Sequence, residues 1–439
     1  MKTDPAVYSR PAELLQNLIR FDTTNPPGNE RPCTEYINTL LTGNGFDTTL
    51  VAKTPGRPNL IARLKGEGKA PPLLLYGHMD VVTTHGQQWT YPPFEGRLVD
   101  GYIWGRGALD MKHGLAMYLA ALLQARAEKI SLPGDVIFCA VTDEEDGGAF
   151  GSDYLVSDHA SLFQDVKYAL SEFGGFNMTM GGKCIYPIMV AEKQCCWMKI
   201  TFHGRGGHGS MPVHQQAMAK LARTLRLLDR KHLSYHLTPP ARLMMTSIAN
   251  AMGGVAGLAI RALTSRLLAE SVLSLLGERG NIFAPLLHHT ISPTILQASD
   301  KVNVIPSEVS LALDGRLLPG FSPEDMKKEV HSLLGNDFDL EIIDYSPGPS
   351  APDMGLFDTL KEVLKGLDST GFIVPYMMSG VSDARFFSRL GIQTYGFTPL
   401  QLPEDFSFIE TIHAANERVP VKAMEFGVRA VLQALQRFH

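Results

Sequence analysis

Two runs, "PLLLYGH" at 72–78 and "DVIFCAVT" at 135–142, are apolar almost without interruption. A strand that faces water on one side alternates apolar and polar residues. A strand apolar on both faces is covered on both, which is the habit of parallel sheets. Between the two runs lies "HGLAMYLAALLQARAE", residues 113–128, a helix by length and composition. Strand, helix, strand in this form predicts an α/β fold: a mixed, mostly parallel sheet flanked by helices. "NLIARL" at 59–64 reads as a further strand, and "AELLQNLIRFD" near the N-terminus has helical apolar spacing.

The texture changes near Lys193. "CCWMKITFHGRGGHGS" alternates like a half-exposed strand running into a Gly-rich turn, and "VSLALDGRLLPG" and "DFDLEIIDY" alternate likewise. Helical stretches lie around 214–230 and 255–277. From about 350 the α/β pattern returns, with a helix at 355–367, the strand "QTYGFT" at 393–398 and a last helix near 420–438. The 439 residues also exceed what one core of about 250–300 residues organises. The expectation is an α/β domain from 1–193 and 349–439, with a smaller α+β domain, 194–348, inserted.

A net charge of −5 implies no basic field to attract nucleic acid or anionic lipid. Five cysteines read as free thiols of a reducing compartment. "MKTDPAVYSRPAELL" shows no apolar signal core, so a cytoplasmic protein is expected. The apolar segment 252–280 is interrupted by Arg261, Arg266 and Glu270, which makes it a poor membrane span and predicts a buried or amphipathic helix.

Several polar groups fall where strands end. His78 and Asp80 close "LLLYGHMDVV", and Asp110 sits between a Gly-rich turn and a helix in "WGRGALDMKHG". Taken singly, the first pair is a polar strand end and Asp110 a helix cap. "TDEEDGG" follows the next strand with four acids in a row, Asp143 to Asp146. Like charges side by side repel, and a bound divalent cation relieves that. Glu172 follows the apolar run of "ALSEFGG", and His413 lies in "FIETIHAANERV" before the last helix. Imidazole and carboxylate are what zinc takes, and two imidazoles with three carboxylates serve two metals if one carboxylate bridges.

In this order, H-x-D, D-x-K-x-G, E-E, a lone acid and a C-terminal His, the chain resembles the M20 metallopeptidases along essentially its whole length. These include carboxypeptidase, aminoacylase, dipeptidase and desuccinylase members. The resemblance implies that Asp110 bridges two zinc ions, His78 and Glu172 hold one, and Glu145 and His413 the other, with cobalt or manganese as possible substitutes. Asp80 would orient His78 through its ring N–H, and Glu144 would be the general base. Asp143 and Asp146 are left as structural or supporting acids, Lys112 as a support for Asp110 or the helix start, and His113 as a helix-terminus residue.

In the inserted domain, the resemblance makes His208 of "GRGGHGSMP" an oxyanion donor reaching another subunit's site, which implies a homodimer. Asn303 and Arg316 would grip a substrate carboxylate. "MMSGVSDARFF" matches a glycine loop in which Ser379 replaces the first glycine, so Gly380 alone is carried over as a backbone contact. The implied activity is hydrolysis of an N-acyl or peptidyl amide beside a free carboxylate. The stretch 243–290 is similar to the longer lids of carboxypeptidase S-like and N-acyl-amino-acid hydrolase members. Met244, Met245 and Met252 there read either as a greasy wall or as ordinary helix packing. A dipeptidase, a succinyl-diaminopimelate desuccinylase-like enzyme, a silent metal-bound binding protein and peripheral membrane attachment through 252–280 stand as alternatives.

Overall fold

The apolar runs become the middle of a nine-stranded sheet. The computed structural model describes residues 5–211 and 213–439. Its sheet runs Thr48–Ala52, Pro58–Leu64, Val136–Val141, Leu73–His78, Tyr168–Ser171, Gln393–Gly396, Lys183–Glu192 and Phe372–Met378, with Met178–Met180 hairpinned onto Lys183–Glu192. The four central strands, from Val136–Val141 to Gln393–Gly396, are parallel. The two strands at the N-terminal edge pair antiparallel. Every residue of Leu73–His78 and Val136–Val141 is buried, as both-sided covering requires.

The chain leaves Leu73–His78 for Val136–Val141 on one side and later places Tyr168–Ser171 on the other. The strand order therefore reverses at Leu73–His78. In open α/β sheets such a reversal opens a crevice at the carboxyl ends of the strands.

The helix Lys112–Ala127 has 13 of its 16 residues buried. Gly114 and alanines 116, 120 and 121 let it lie close to the sheet. Its Tyr118 hydroxyl donates to the carbonyls of Ser171 and Phe397, both at 3.0 Å, which ties the helix to the ends of two parallel strands.

The fold has two units. One runs to Val190 and resumes over Asp353–Tyr376 and Ser382–His439; the other is Ala191–Pro352 with Met377–Val381. Residues 377–381, read above with the C-terminal part, thus group with the inserted unit. That unit is built on an antiparallel sheet ordered Thr290–Gln297, Glu308–Leu317, Gln194–His203, Asp339–Ser346. Glu308–Leu317 buries every second residue, and the inward set packs with the helices Ala217–Leu228 and Pro323–Leu334.

The helix expected over 255–277 is two helices, Gly254–Ala262 and Ala269–Leu276, preceded by Pro239–Met252. The break falls at Thr264 and Ser265. The Thr264 hydroxyl donates to the Arg261 carbonyl at 2.7 Å, and such bonds compete with the helix ladder. The segment is also not buried throughout, since Val255, Leu258, Leu267 and Leu275 face solvent. Among the described residues no helix is long and apolar enough to cross a membrane. The five cysteines are free.

Candidate metal centre

Three of the acids and one histidine arrive on the carboxyl ends of adjacent parallel strands. His78 ends Leu73–His78, Glu172 follows Tyr168–Ser171, and Glu144 and Glu145 follow Val136–Val141 in a single 3-10 turn. Gly396 allows the Glu172 segment in, since a Cβ there would lie 2.4 Å from the Glu172 carbonyl oxygen. Asp110 comes from the turn containing Gly107, whose φ of +87° suits glycine. It caps nothing: the residue before the helix is Met111, and no side chain caps that end.

The side chains converge on Asp110. Its Oδ1 lies 3.1 Å from His78 Nε2, and its Oδ2 lies 3.1 Å from His413 Nε2. His78 Nε2 is also 3.3 Å from Glu172 Oε2, and His413 Nε2 is 3.4 Å from Glu145 Oε1. Two groups of ligand atoms result, His78–Asp110–Glu172 and Asp110–Glu145–His413, which share one carboxylate. Glu144 belongs to neither.

The donor set fits cations. Glu145 Oε1 and Glu172 Oε2 are buried and accept no hydrogen bond. Burial raises Glu172 to about 8, against the pull of His78, and also raises Glu145 and Glu144. Burial pushes Asp110 up as well, but His413 and His78 outweigh it and hold that carboxyl below its ordinary range. His413 is raised to about 10, by Asp110 first and then Glu145. Burial would lower His78, yet Asp110 and Glu172 together raise it. Carboxylates are crowded here beyond what two imidazoles offset, a surplus that a divalent cation would neutralise. The His78 tautomer agrees. Its Nδ1 lies 2.8 Å from the Asp80 backbone carbonyl, which only accepts, so in the neutral ring the hydrogen is on Nδ1 and the Nε2 lone pair is the one turned toward Asp110 and Glu172.

That bond corrects the role expected of Asp80. Its carboxylate does not take the His78 ring N–H; Oδ1 is 3.7 Å away. It accepts the backbone N–H groups of Glu144 at 3.2 Å and Glu145 at 3.1 Å, and the Asn25 amide at 2.8 Å. Asp80 thus sets the turn that carries both glutamates. The positive group beside the four-acid run is Arg57, whose Nη1 is 2.8 Å from Asp143 and whose Nη2 is 2.6 Å from the buried Glu30. Asp146 is exposed.

Sequence reading missed the pair that holds the other side. Glu417 is fully buried and accepts N–H groups from Leu109 at 2.6 Å and Asp110 at 3.1 Å. Its partner Arg106, at 2.6 Å, also donates to the His413 carbonyl at 3.2 Å. One buried ion pair thereby joins the Asp110 turn to the His413 loop. A lone Glu before a strand and an Arg between glycines carry no signal of this in sequence. Asp383 was missed too: it is buried, takes the Ser152 hydroxyl at 2.6 Å, and burial raises it to about 6. The Lys112 ammonium donates to the Phe21 carbonyl at 2.8 Å, and its stem lies against Gly107 of the Asp110 turn. His113 is buried with both ring nitrogens unpartnered, and burial lowers it to about 4.

The remaining site residues lie in the inserted unit. His208 is exposed on the short strand Gly207–His208, with Nδ1 2.7 Å from the Ser210 hydroxyl. Pro212 of the same motif lies outside the described residues. Asn303 is exposed, with its carbonyl accepting from Gly209 at 2.8 Å. Arg316 already forks onto a carboxylate, that of Asp314, at 2.7 and 3.1 Å. Gly380 is half-buried in the 377–381 segment, next to exposed Ser379. Met244 and Met245 are buried, and the Met244 sulfur lies 3.5 Å from the Met377 backbone nitrogen.

A third histidine–carboxylate group, His236, His289 and Glu329, also lies in the inserted unit. His289 Nδ1 accepts the Leu318 backbone N–H at 3.0 Å. Its hydrogen is therefore on Nε2, the atom facing Glu329 at 3.8 Å, and that nitrogen has no lone pair for a cation.

A model of Peptidase family M20/M25/M40 matches residues 74–437. The chain is 28% identical over 388 residues to the probable carboxypeptidase S-like 2 of Dictyostelium discoideum, covering 83% of this chain and 71% of that one. It is 27% identical over 448 residues to the N-fatty-acyl-amino acid synthase/hydrolase PM20D1 of Bos taurus, covering 97% and 87%. An M20 family metallo-carboxypeptidase of Sulfolobus solfataricus has the same fold, with a TM-score of 0.71, 19% identity and 99% of each chain covered. With a match over most of its length and histidines and carboxylates gathered as a metal-dependent hydrolase needs them, the chain belongs to peptidase family M20/M25/M40.

Proposed function

We propose that this chain is a dinuclear zinc hydrolase that cleaves an amide bond beside a free carboxylate, with N-acyl amino acids as the favoured class. The observation that carries the reading is the division between adjacent glutamates: Glu145 stands in a ligand group and Glu144 beside it does not. His78 and Glu172 would hold one ion, Glu145 and His413 the other, and Asp110 both. When bound, zinc brings the pKa of a water to about 7 and polarises the scissile carbonyl.

The rest is done by the chain itself. Glu144 takes the proton of the attacking water and returns it to the leaving nitrogen. Burial holds its pKa well above the usual range, which suits a group that must both accept and give a proton. Asp80 keeps Glu144 in place through the backbone. His208 donates to the developing oxyanion, and Asn303, Arg316 and the backbone at Gly380 hold the substrate carboxylate. Arg316 would exchange Asp314 for that carboxylate. A homodimer through the inserted unit is part of the proposal, supported by the edge strand Thr290–Gln297, whose Ile295 and Leu296 are exposed. Five free cysteines support a cytoplasmic setting.

The amide class follows the N-fatty-acyl-amino acid relative, matched over 97% of the chain. The zinc-loaded protein, assayed against N-acyl amino acids, dipeptides and N-succinyl amino acids, is expected to turn over the first set fastest. Turnover confined to the dicarboxylic N-succinyl compounds sinks the reading.

A further inference from the structure

The helical part of the inserted unit, between the strands ending at His203 and starting at Thr290, has a composition unlike the rest. Residues 204–289 carry ten Lys and Arg against three Asp and Glu, while the remainder carries 30 against 42. The net charge of −5 hides a basic region on an acidic protein. Such asymmetry points to an anionic surface as partner.

The same region is apolar on its outer side. In Gly254–Ala262, Gly257 and Ile260 turn inward while Val255, 85% exposed, and Leu258 face out, followed by exposed Arg261. In Ala269–Leu276, Ala269 and Leu273 turn inward. Leu268 and Leu275 lie seven residues apart on the outer side, with half-buried Val272 between them. Leu267 and Leu275 are 90% and 86% exposed, and Ile282 is exposed beyond them. The first helix is thus apolar nearly all round, a pattern that belongs to a covered helix, while the second shows Glu270, Ser271 and Ser274 to solvent beside Leu275. Arg266 is exposed beside Leu267. The nearby acid Glu270 reaches His288 at 3.3 Å. Exposed Arg230 and Lys231 begin the segment to Tyr235, whose hydroxyl donates to the Leu263 carbonyl at 2.8 Å and ties that segment to the end of the first helix.

We infer that the helices Gly254–Ala262 and Ala269–Leu276 dock on an anionic lipid surface, with Leu267, Leu268 and Leu275 entering the headgroup boundary and Arg230, Lys231 and Arg266 meeting lipid phosphates. Charge separates this occupant from a second copy. Two chains meeting through these helices would set exposed Arg261 and Arg266 against their own copies. Nucleic acid is disfavoured by the outward side chains, which are aliphatic and offer no ring on which bases stack. The surface uses none of the metal-centre residues and stands whichever amide the centre cleaves.

The test is flotation of the full, metal-loaded protein with phosphatidylcholine vesicles, with and without about 30% phosphatidylserine. Binding is expected at least about tenfold stronger to the anionic vesicles and weakened by about 0.5 M salt. The double variant Leu267→Glu/Leu275→Glu is expected to lose binding by about tenfold or more, while its melting temperature and hydrolysis of a soluble substrate stay unchanged. Arg230→Glu/Arg266→Glu, which leaves the leucines in place, should lose the preference for anionic lipid. No flotation, equal binding to both vesicles, or a leucine variant that binds like the parent overturns the proposal. So does a leucine variant that turns a dimer into a monomer in sedimentation, because the face then belongs to a second copy.

Discussion

Two parts of this molecule bring histidine nitrogen and carboxylate oxygen together at similar distances, and only one suits a cation. In the centre around Asp110, His78 Nδ1 gives its hydrogen to a backbone carbonyl, so Nε2 presents a lone pair. In the inserted unit, His289 Nδ1 receives a hydrogen from a backbone N–H, so Nε2 presents a hydrogen. The residue types are the same; the backbone group behind each ring is opposite. A ligand set is therefore decided by what stands behind the imidazole as much as by what stands in front.

The largest test of that contrast is Asp110→Ala. Asp110 serves both ligand groups, so metal content by mass spectrometry should fall from two toward zero per chain, and kcat/KM by about four orders of magnitude. Retention of one tightly held ion would break the picture of a shared carboxylate. Next is Glu144→Gln, expected to lower kcat by about 10²–10⁴-fold with metal content unchanged. Unchanged turnover removes Glu144 from the role of base.

A smaller effect belongs to Glu417→Gln. It leaves every ligand in place but discharges the partner of buried Arg106. Metal affinity, read by competition with a chelator, should weaken about 10–100-fold. Unaltered affinity would refute the alignment of the Asp110 turn with the His413 loop through this pair.

The smallest effect comes from the other cluster. His289→Asn should leave metal content unchanged, which sharpens the contrast with Asp110. Burial first, and then His236 beside it, lower His289 to about 3 in the folded chain. The unfolded chain takes up that proton near pH 6.5. Between about pH 6.5 and 3 the unfolded state binds more protons, so stability falls as pH drops through this window, by at most about 1.4 kcal/mol per unit. The melting temperature should decline below pH 6.5, and His289→Asn should flatten the decline. An identical slope in the variant assigns it elsewhere.

Much of the fold was readable from local pattern. "PLLLYGH", "DVIFCAVT" and the helix between them are unambiguous because both-sided burial leaves an uninterrupted apolar record. The helix over 255–277 was misread because apolar content continues through Thr264 and Ser265, while the break depends on one hydroxyl bond. Strand Lys183–Glu192 and its neighbour Phe372–Met378 are apolar runs too, but Pro187 and Pro375 interrupt them, and a proline inside a run argues against a strand; their place in the sheet comes from pairing across a long sequence separation. The site residues His78, Asp110, Glu145, Glu172 and His413 were visible as an ordered set of unusual side chains. Their supports were not: Glu417 lies 311 positions from Arg106, and nothing local marks either.

Residue chemistry and strand pattern alone therefore determined that the chain builds a mostly parallel sheet with acids and imidazoles at its strand ends. Tertiary structure decided which of those groups meet, that Asp80 grips the Glu144–Glu145 turn rather than the His78 ring, and which histidine keeps a free lone pair. The reason is physical. Periodicity and composition record each residue's exposure to water, whereas the direction of a hydrogen bond is set by the particular partner that folding brings to it.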